Sequence, residues 1–425
     1  MRDLCQCLLD KAKTPSFLLY ALVVSIMTAQ FVITSLKFAK GTFRPMSLIP
    51  RRLVLLGALS LCCFAAKGST TASVLGMSPG DELYSQFGHV ALRIEVPEQH
   101  YDYCFSFEGT TGFAGMLEFF LGQTHAHINA VPTETFLGTY KQEGRQVMQY
   151  TLSLNASQEQ ELWRQLRDDS VRDEMRKFNL LQNNCSSVTI RAIEQALGDE
   201  ALDFNGWPEQ FHMVNGDGVR YLSRHSPWLE FWNMTFIGTE ADTRWPHEQQ
   251  MSPELMPEVL KMASLVSSDG TRRPVVTGEK ELLPMVNKYR PSPCTPARVF
   301  GFLLIFTIVI TIAQVKWKIN AAPQALDVVL MTAVTTGGLL LMHTSFVSGL
   351  FGVHWNWYLI PFNPLPFIFW LLWHRHKTFN KIYWFYTIVL LLFILATPLS
   401  RQLDLTHQLI TASLAIRSIT KITPK

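Results

Sequence analysis

The sequence predicts an α+β domain outside the cytoplasm followed by an all-α bundle in a membrane, and three observations carry that reading. The chain of 425 residues is 48% hydrophobic and only 17% charged, too apolar on average for an ordinary soluble protein. Long charge-free runs crowd into its last third. Ahead of them lies a polar block in which an alternating stretch, "HVALRIEV" from His89 to Val96, is followed by "NNCSSVTIRAIEQALG", where a cysteine opens a helical pattern.

The membrane elements follow from charge. Val299 to Val315 lies between Arg298 and Lys316, and Ile382 to Ser400 lies between Lys381 and Arg401, each near the length a transmembrane helix needs. Val328 to His374 contains no Asp, Glu, Lys or Arg and has room for two helices broken around "SGLFGVHWNWYLIPFNPLP", where Gly, Asn and Pro mark the turn. A shorter fifth run, Leu405 to about Thr420, carries Arg417 near its end. The expected helices are about 299–316, 326–347, 357–374, 382–400 and 405–420, a bundle of four to five. Basic residues fall on alternate connections: Lys316 and Lys318, then His374 to Lys377 with Lys381, then Arg417, Lys421 and Lys425, while Ser345 to Trp357 has no Lys or Arg. By the positive-inside rule those basic connections are cytoplasmic and the polar block is not. A net charge of only +3 with no basic stripe excludes a nucleic-acid partner.

The N-terminus admits two readings. Arg51 and Arg52 followed by "LVLLGALSLCCFAA" have the form of a secretory signal, with Met46 a possible start, whereas the upstream "SFLLYALVVSIMTAQFVITSL" is long enough to span. Both export the same block. Cys62 and Cys63 lack the small preceding residue of a lipoprotein signal, so the chain itself is not expected to be lipidated. The expected division is 1–67 for the signal or anchor, 68–297 for the extracytoplasmic domain and 298–425 for the bundle.

Of seven cysteines, Cys104, Cys185 and Cys294 fall outside the cytoplasm, an odd number that leaves at least one thiol free. Cys185 has a reason to be reactive. Asn183 and Asn184 are good N-caps, Val188, Ala192, Ile193, Ala196 and Leu197 form one apolar face, and Gly198 is a stop, so Cys185 falls in the first turn. The helix dipole and free N–H groups there are expected to favour a thiolate and lower the thiol pKa. The bland alternative is a small buried hydrophobe. His89 is the natural partner: Val90, Leu92, Ile94 and Val96 face one way, His89, Ala91 and Arg93 the other. A lone strand histidine is otherwise a hydrogen-bonded structural residue. In "HYDYCFSF" a second strand alternates Tyr101, Tyr103, Phe105 and Phe107 against His100, Asp102, Cys104 and Ser106, and offers Asp102 or His100 to orient the imidazole.

The order of a strand histidine, a polar residue on the next strand and "NC" opening a helix resembles the circularly permuted papain-like enzymes, the lecithin:retinol acyltransferase and NlpC-like groups. More closely, "SPGDELYSQFGHVALRI", "FFLG", "FNLLQNNCSS", "GTEADTRW", "SPELMPEVL" and "HWNWYLIPFNPLP" resemble, in the same order, the bacterial family of the lipoprotein N-acyltransferase Lnb, from about Ser78 to the C-terminus. The resemblance implies a permuted papain-like domain and a multi-pass protein of the bacterial inner membrane. It also implies a thiol acyltransferase that takes an acyl chain from a phospholipid and passes it to the α-amine of a diacylated lipoprotein cysteine. On this chain Cys185 matches the nucleophile and His89 the base. The third member does not carry over, because "YDYC" stands where the family has a "YNYG"-like strand, so Glu98, His100 and Asp102 stay candidates and Cys104 is a departure.

The implied chemistry calls for no metal and no organic cofactor: a Cys185 thioester forms, His89 moves the protons, and an amine resolves it. If water resolves it instead, the same pair makes a phospholipase or a cell-wall amidase or peptidase, and without the thiol the fold is a membrane scaffold. Five apolar runs favour a lipid or lipidated substrate over the wall. His125 and His127 have no third ligand nearby and read as solvated, while His343, His354 and Asn356, with Trp355, Trp357 and Tyr358, read as outer-interface residues. The topology is checked with a membrane-impermeant maleimide on intact spheroplasts. A cysteine introduced by Ser157→Cys is expected to label and one introduced by Thr378→Cys is not; the opposite pattern would overturn it.

Overall fold

The computed structural model describes residues 70–81, 85–110, 112–179, 183–204, 214–244, 252–287, 292–350, 352–368 and 380–422. The signal or anchor expected in residues 1–67 lies outside the described residues, as do 369–374 of the third expected span.

Three strands open the domain, β1 (Thr71–Met77), β2 (His89–Val96) and β3 (Tyr101–Gly109). Helix α1 (Gly112–Leu121), β4 (His125–Pro132), α2 (Thr133–Glu143), β5 (Val147–Leu152), α3 (Ala156–Arg172), the short β6 (Arg176–Lys177) and α4 (Cys185–Ala196) follow. Then come β7 (Ala201–Asp203), α5 (Asn215–Ser223), α6 (Pro227–Phe236), α7 (Met256–Met262), β8 (Ser264–Val266), β9 (Arg272–Pro274) and β10 (Val276–Leu283). A sheet of seven strands in the order β10-β5-β1-β2-β3-β4-β6 is antiparallel throughout, and β7, β8 and β9 form a small second one. The helical region contains α8 (Pro296–Trp317), α9 (Ala321–Phe346), α10 (Asn380–Leu395) and α11 (Leu405–Ile422). The chain is thus a mixed α/β domain with an antiparallel sheet, followed by a helical region.

Alternation decides which side of the sheet each residue joins. Val90, Leu92 and Ile94 of β2 and Phe105 and Phe107 of β3 meet Leu162 of α3 and Val188 and Ile193 of α4 in the main core. Leu92, Ile94, Leu162 and Ile193 are at most 1% exposed, and each such side chain contributes about 1.5–3 kcal/mol on burial. Leu75, Met77, Ala91 and Cys104 line the other face beneath Phe136 and Tyr140 of α2. Helix α3 begins on a reciprocal capping box between Asn155 and Gln158, which satisfies two end N–H groups.

Helices α8 and α9 are long and apolar enough to cross a membrane, and α10 is a shorter apolar helix. Trp357–Leu359 is one 3-10 turn capped by Asn356, not the start of the long helix expected from residue 357. Arg417, read from sequence as a charge near the end of the last apolar run, is fully buried instead. Its Nε and Nη2 donate to the Asp327 carboxylate at 2.6 and 3.1 Å, Nη1 donates to Thr311 and Gln314, and Lys421 donates to the same Asp327 at 2.6 Å. One acid therefore ties α9 to α11 by answering two cations, and Arg417 extends the network to α8.

The domain is seated on the helical region by backbone contacts. Gly238 N–H donates to Gly352 O at 2.8 Å, Thr239 N–H to Trp355 O at 3.2 Å, and the Asn356 amide to Thr235 O at 2.7 Å. A Cβ at Gly238 would lie 1.8 Å from the His354 carbonyl oxygen, so only glycine permits this approach. Asp242 accepts from Arg401 N–H at 2.6 Å and from the Ser400 hydroxyl at 2.7 Å. Beneath the seat His407, fully buried, joins Asp404 at 2.7 Å and Thr235 at 2.7 Å and stacks between Phe231 and Tyr358.

Replacing Asp327 by Ala takes the carboxylate away from Arg417 and Lys421, a loss of about 3–5 kcal/mol for a buried pair broken on one side. A thermal melt of the detergent-solubilised protein is expected to show it, with the Asp327→Leu, Arg417→Met double variant less affected than Asp327→Ala.

Candidate active site

Helix α4 starts at the expected place. The Asn184 side chain accepts from Ser187 N–H at 3.0 Å while the Ser187 hydroxyl accepts from Asn184 N–H at 3.0 Å, a closed capping box that fixes Cys185 in the first turn. Helix α4 packs on β2 and β3. The Cys185 side chain, 7% exposed, joins the main core with Val90, the next residue along β2 from His89, and the Val90 N–H favours the charged form of its sulfur. The Ser186 hydroxyl and the Ser186 and Cys185 N–H groups also favour its charged form.

The expectation of a lowered thiol pKa is corrected. Burial pushes the Cys185 thiol up more than the N–H donors and the Ser186 hydroxyl draw it down, and the balance stands at about 11. The helix start is present, but it lies in a dry place.

His89 begins β2 directly after Gly88, whose φ of +76° and whose position, with a Cβ 2.8 Å from Met77 O, demand glycine. Its Nε2 lies 2.5 Å from the Ser106 hydroxyl of β3. The imidazole pKa is lowered to about 4, chiefly by burial, which outweighs the opposing Glu108 carboxylate and is helped by Arg145. At neutral pH the site therefore rests as thiol and neutral imidazole.

Asp102 and His100, the expected orienting residues, are placed elsewhere. The β2–β3 register sets Ala91 opposite Ser106 and Glu95 opposite Asp102, so Asp102 is four positions from Ser106 along the strand, a separation of about 13 Å. Its carboxylate receives Arg93 Nε and Nη2, each at 2.8 Å, and the Thr133 hydroxyl at 2.6 Å. Burial pushes Asp102 up, but these hydrogen bonds outweigh it and hold the carboxyl below its ordinary value. His100 is exposed at the β2–β3 turn with φ of +51°, and Glu98 is exposed beside it. Cys104 is fully buried, 3.3 Å from the Thr133 hydroxyl, with a thiol pushed up to about 12 by burial.

Two residues were not singled out in the sequence. Ser106 takes the place against His89 that Asp102 or His100 was expected to hold; the alternation of β3 already put it on that face. Arg145, 5% exposed, follows α2, donates from Nε to Ser78 O at 2.7 Å and from Nη1 to Glu143 at 3.0 Å, and lies over the Tyr140 ring. It braces the segment that leads into His89, and nothing in local sequence signals that.

The cysteine-bearing turn also touches the helical region. Asn183 donates to Lys177 O, and Lys177 Nζ donates to Gly349 O at 3.0 Å. His127 lies 3.7 Å from Asp173, and His354 Nδ1 donates to Ser345 O at 2.9 Å.

Fold and site together define a class: an α/β domain with a buried thiol and a histidine at one end of its sheet, seated on helices apolar enough for a membrane. Residues 65–213 match the family model of the Lnb N-terminal periplasmic domain, and residues 288–424 match that of the Lnb transmembrane domain. The chain belongs to the Lnb family and is a membrane protein with an extracytoplasmic domain. No curated protein and no solved structure matches it.

The resting protonation state is open to a direct test. Because the Cys185 pKa is raised toward 11, the thiolate fraction is small at neutral pH and grows with alkali. Iodoacetamide modification, followed by mass spectrometry of the Cys185 peptide, is expected to be slow at pH 7 and to accelerate continuously above the ordinary thiol range. A plateau reached below pH 7 would show a stable ion pair instead.

Proposed function

We propose that the protein is a membrane-bound thiol acyltransferase that completes lipoproteins, moving an acyl chain from a phospholipid to the α-amine of a lipoprotein's diacylglyceryl-cysteine. The observation that carries the reading is the placement of Cys185: a capped helix start whose sulfur meets the residue beside His89, on a turn tied through Lys177 to the loop that follows α9. A nucleophile held there works at the edge of the bilayer. Membership in the Lnb family supports the same role. The order of histidine strand, polar strand and cysteine helix supports a permuted papain-like core, and the alternation of basic connections supports a multi-pass protein of the bacterial inner membrane with residues 68–297 in the periplasm.

The steps follow from the groups present. Nε2 of His89 is engaged by Ser106, so Nδ1 is the nitrogen left for the thiol. With Nδ1 as base, Nε2 carries the hydrogen and Ser106 accepts it, which makes Ser106 the orienting partner. As the donor ester approaches, His89 takes the thiol proton and Sγ attacks the carbonyl carbon, forming the C–S bond. The negative oxygen of the tetrahedral intermediate is held by N–H groups at the α4 start. Collapse breaks the C–O bond of the ester, His89 returns its proton to the glycerol oxygen, and lysophospholipid leaves. The lipoprotein amine then attacks the thioester, loses a proton to His89, and Cys185 departs as the thiol. Starting from a neutral pair suits this scheme, since the proton moves only when the carbonyl is in place.

Purified protein given phospholipid and a diacylated lipopeptide with a free α-amine is expected to form triacylated peptide and lysophospholipid in equal amounts. Without peptide, an acyl thioester is expected to accumulate on Cys185, and Cys185→Ser is expected to abolish both. Fatty acid released at the same rate with or without peptide, and no N-acylated product, would refute the transferase and leave the hydrolase.

A further inference from the structure

We propose that α1, the helix joining β3 to β4, lies in the outer face of the bilayer as an interfacial helix, with its partner the lipid of that leaflet. Its sequence, "GFAGMLEFFL", has one acidic residue and no basic one. Ala114, Leu117 and Leu121 are exposed, Leu117 by 50% and Leu121 by 39%, and their spacing puts them on one helical face. An exposed apolar face of this kind costs free energy in water and is stabilised by burial in lipid.

The helix is also at the right height. Helix α9 ends at Phe346, itself 59% exposed, and the residues just beyond its end are those α1 touches. A Cβ on Gly122, immediately after α1, would lie 2.5 Å from Gly349 N and 2.9 Å from Leu350 N, so the two backbones are in contact. If α9 spans, the end of α1 is level with the membrane surface. The aromatic surface is continuous there: Phe120 meets Phe236 edge-on at 5.3 Å, and Phe236 stacks at 6.1 Å on Trp232, which is 48% exposed. The amphipathic Trp232 ring is of the type that favours the lipid–water boundary.

The consequence for the site is direct. Helix α1 starts three residues after Gly109, the end of the strand that presents Ser106 to His89, so lipid held against α1 bears on the segment that carries part of the candidate site. The immersion itself rests on α9 crossing the membrane and not on acyl transfer, so it is measured without turnover. The full-length Cys185→Ser protein is placed, one copy per disc, in phospholipid nanodiscs containing a lipid with a photoreactive diazirine in its acyl chain, and cross-links are mapped by mass spectrometry. Cross-links in residues 112–121 are expected together with those in α8, the internal control. The Leu117→Asp, Leu121→Asp double variant, whose melting temperature is expected to be unchanged because both side chains are exposed, should lower the α1 signal about tenfold and leave that of α8. Labelled α8 with unlabelled 112–121 would overturn the proposal. So would loss of the 112–121 lipid signal, with that of α8 retained, in discs holding two copies, since it would assign the face to a second chain.

Discussion

The rest of the structure depends on the seat formed by Gly238 and Thr239 against Gly352 and Trp355. Backbone groups on both sides are satisfied across the junction, and Asn356 and Asp242 add side-chain bonds that fix its register. Backbone N–H and C=O groups buried without partners are costly, so this junction has few alternative positions. The α/β domain is not a loose appendage on an anchor. Its cysteine turn, its interfacial helix and the end of α9 keep fixed relations, so lipid height and thiol position are set together.

A second constraint is the contest between desolvation and hydrogen bonding at Cys185. The α4 start supplies the N–H donors that ordinarily draw a thiol toward ionisation, yet the surrounding core of Val90, Phe107 and Val188 removes water and wins. The neighbouring imidazole is pushed the opposite way by the same cause. Acid and base thus move apart in the resting state, and the geometry, not a standing ion pair, makes the site.

Sequence reading found the parts governed by local rules. The alternation of β2 and β3, the Asn184 cap, and the apolar character of α8 and α9 are short-range properties, and each sits where the pattern put it. What it did not find depends on register and on contacts between distant segments. Asp102 looked like a fit partner for His89 because both lie on one face, but face is set by parity whereas distance is set by pairing, and pairing placed Ser106 there instead. Arg145 and Arg417 were missed as internal residues for the same reason: their partners, Ser78 and Asp327, are far away in the chain. The thiol pKa was misjudged because a helix start is visible in sequence and the dryness around it is not.

The burial of Cys185 has a consequence for survival outside the cytoplasm. Oxidants and stray disulfides react with thiolates far faster than with thiols, and an extracytoplasmic domain meets both. A sulfur that stays protonated and 7% exposed is a poor target for sulfenic acid formation. Cys104, fully buried with its thiol pushed up to about 12, is protected in the same way. The dryness that delays ionisation is therefore also a form of redox storage, keeping the sulfur reduced in an oxidising compartment.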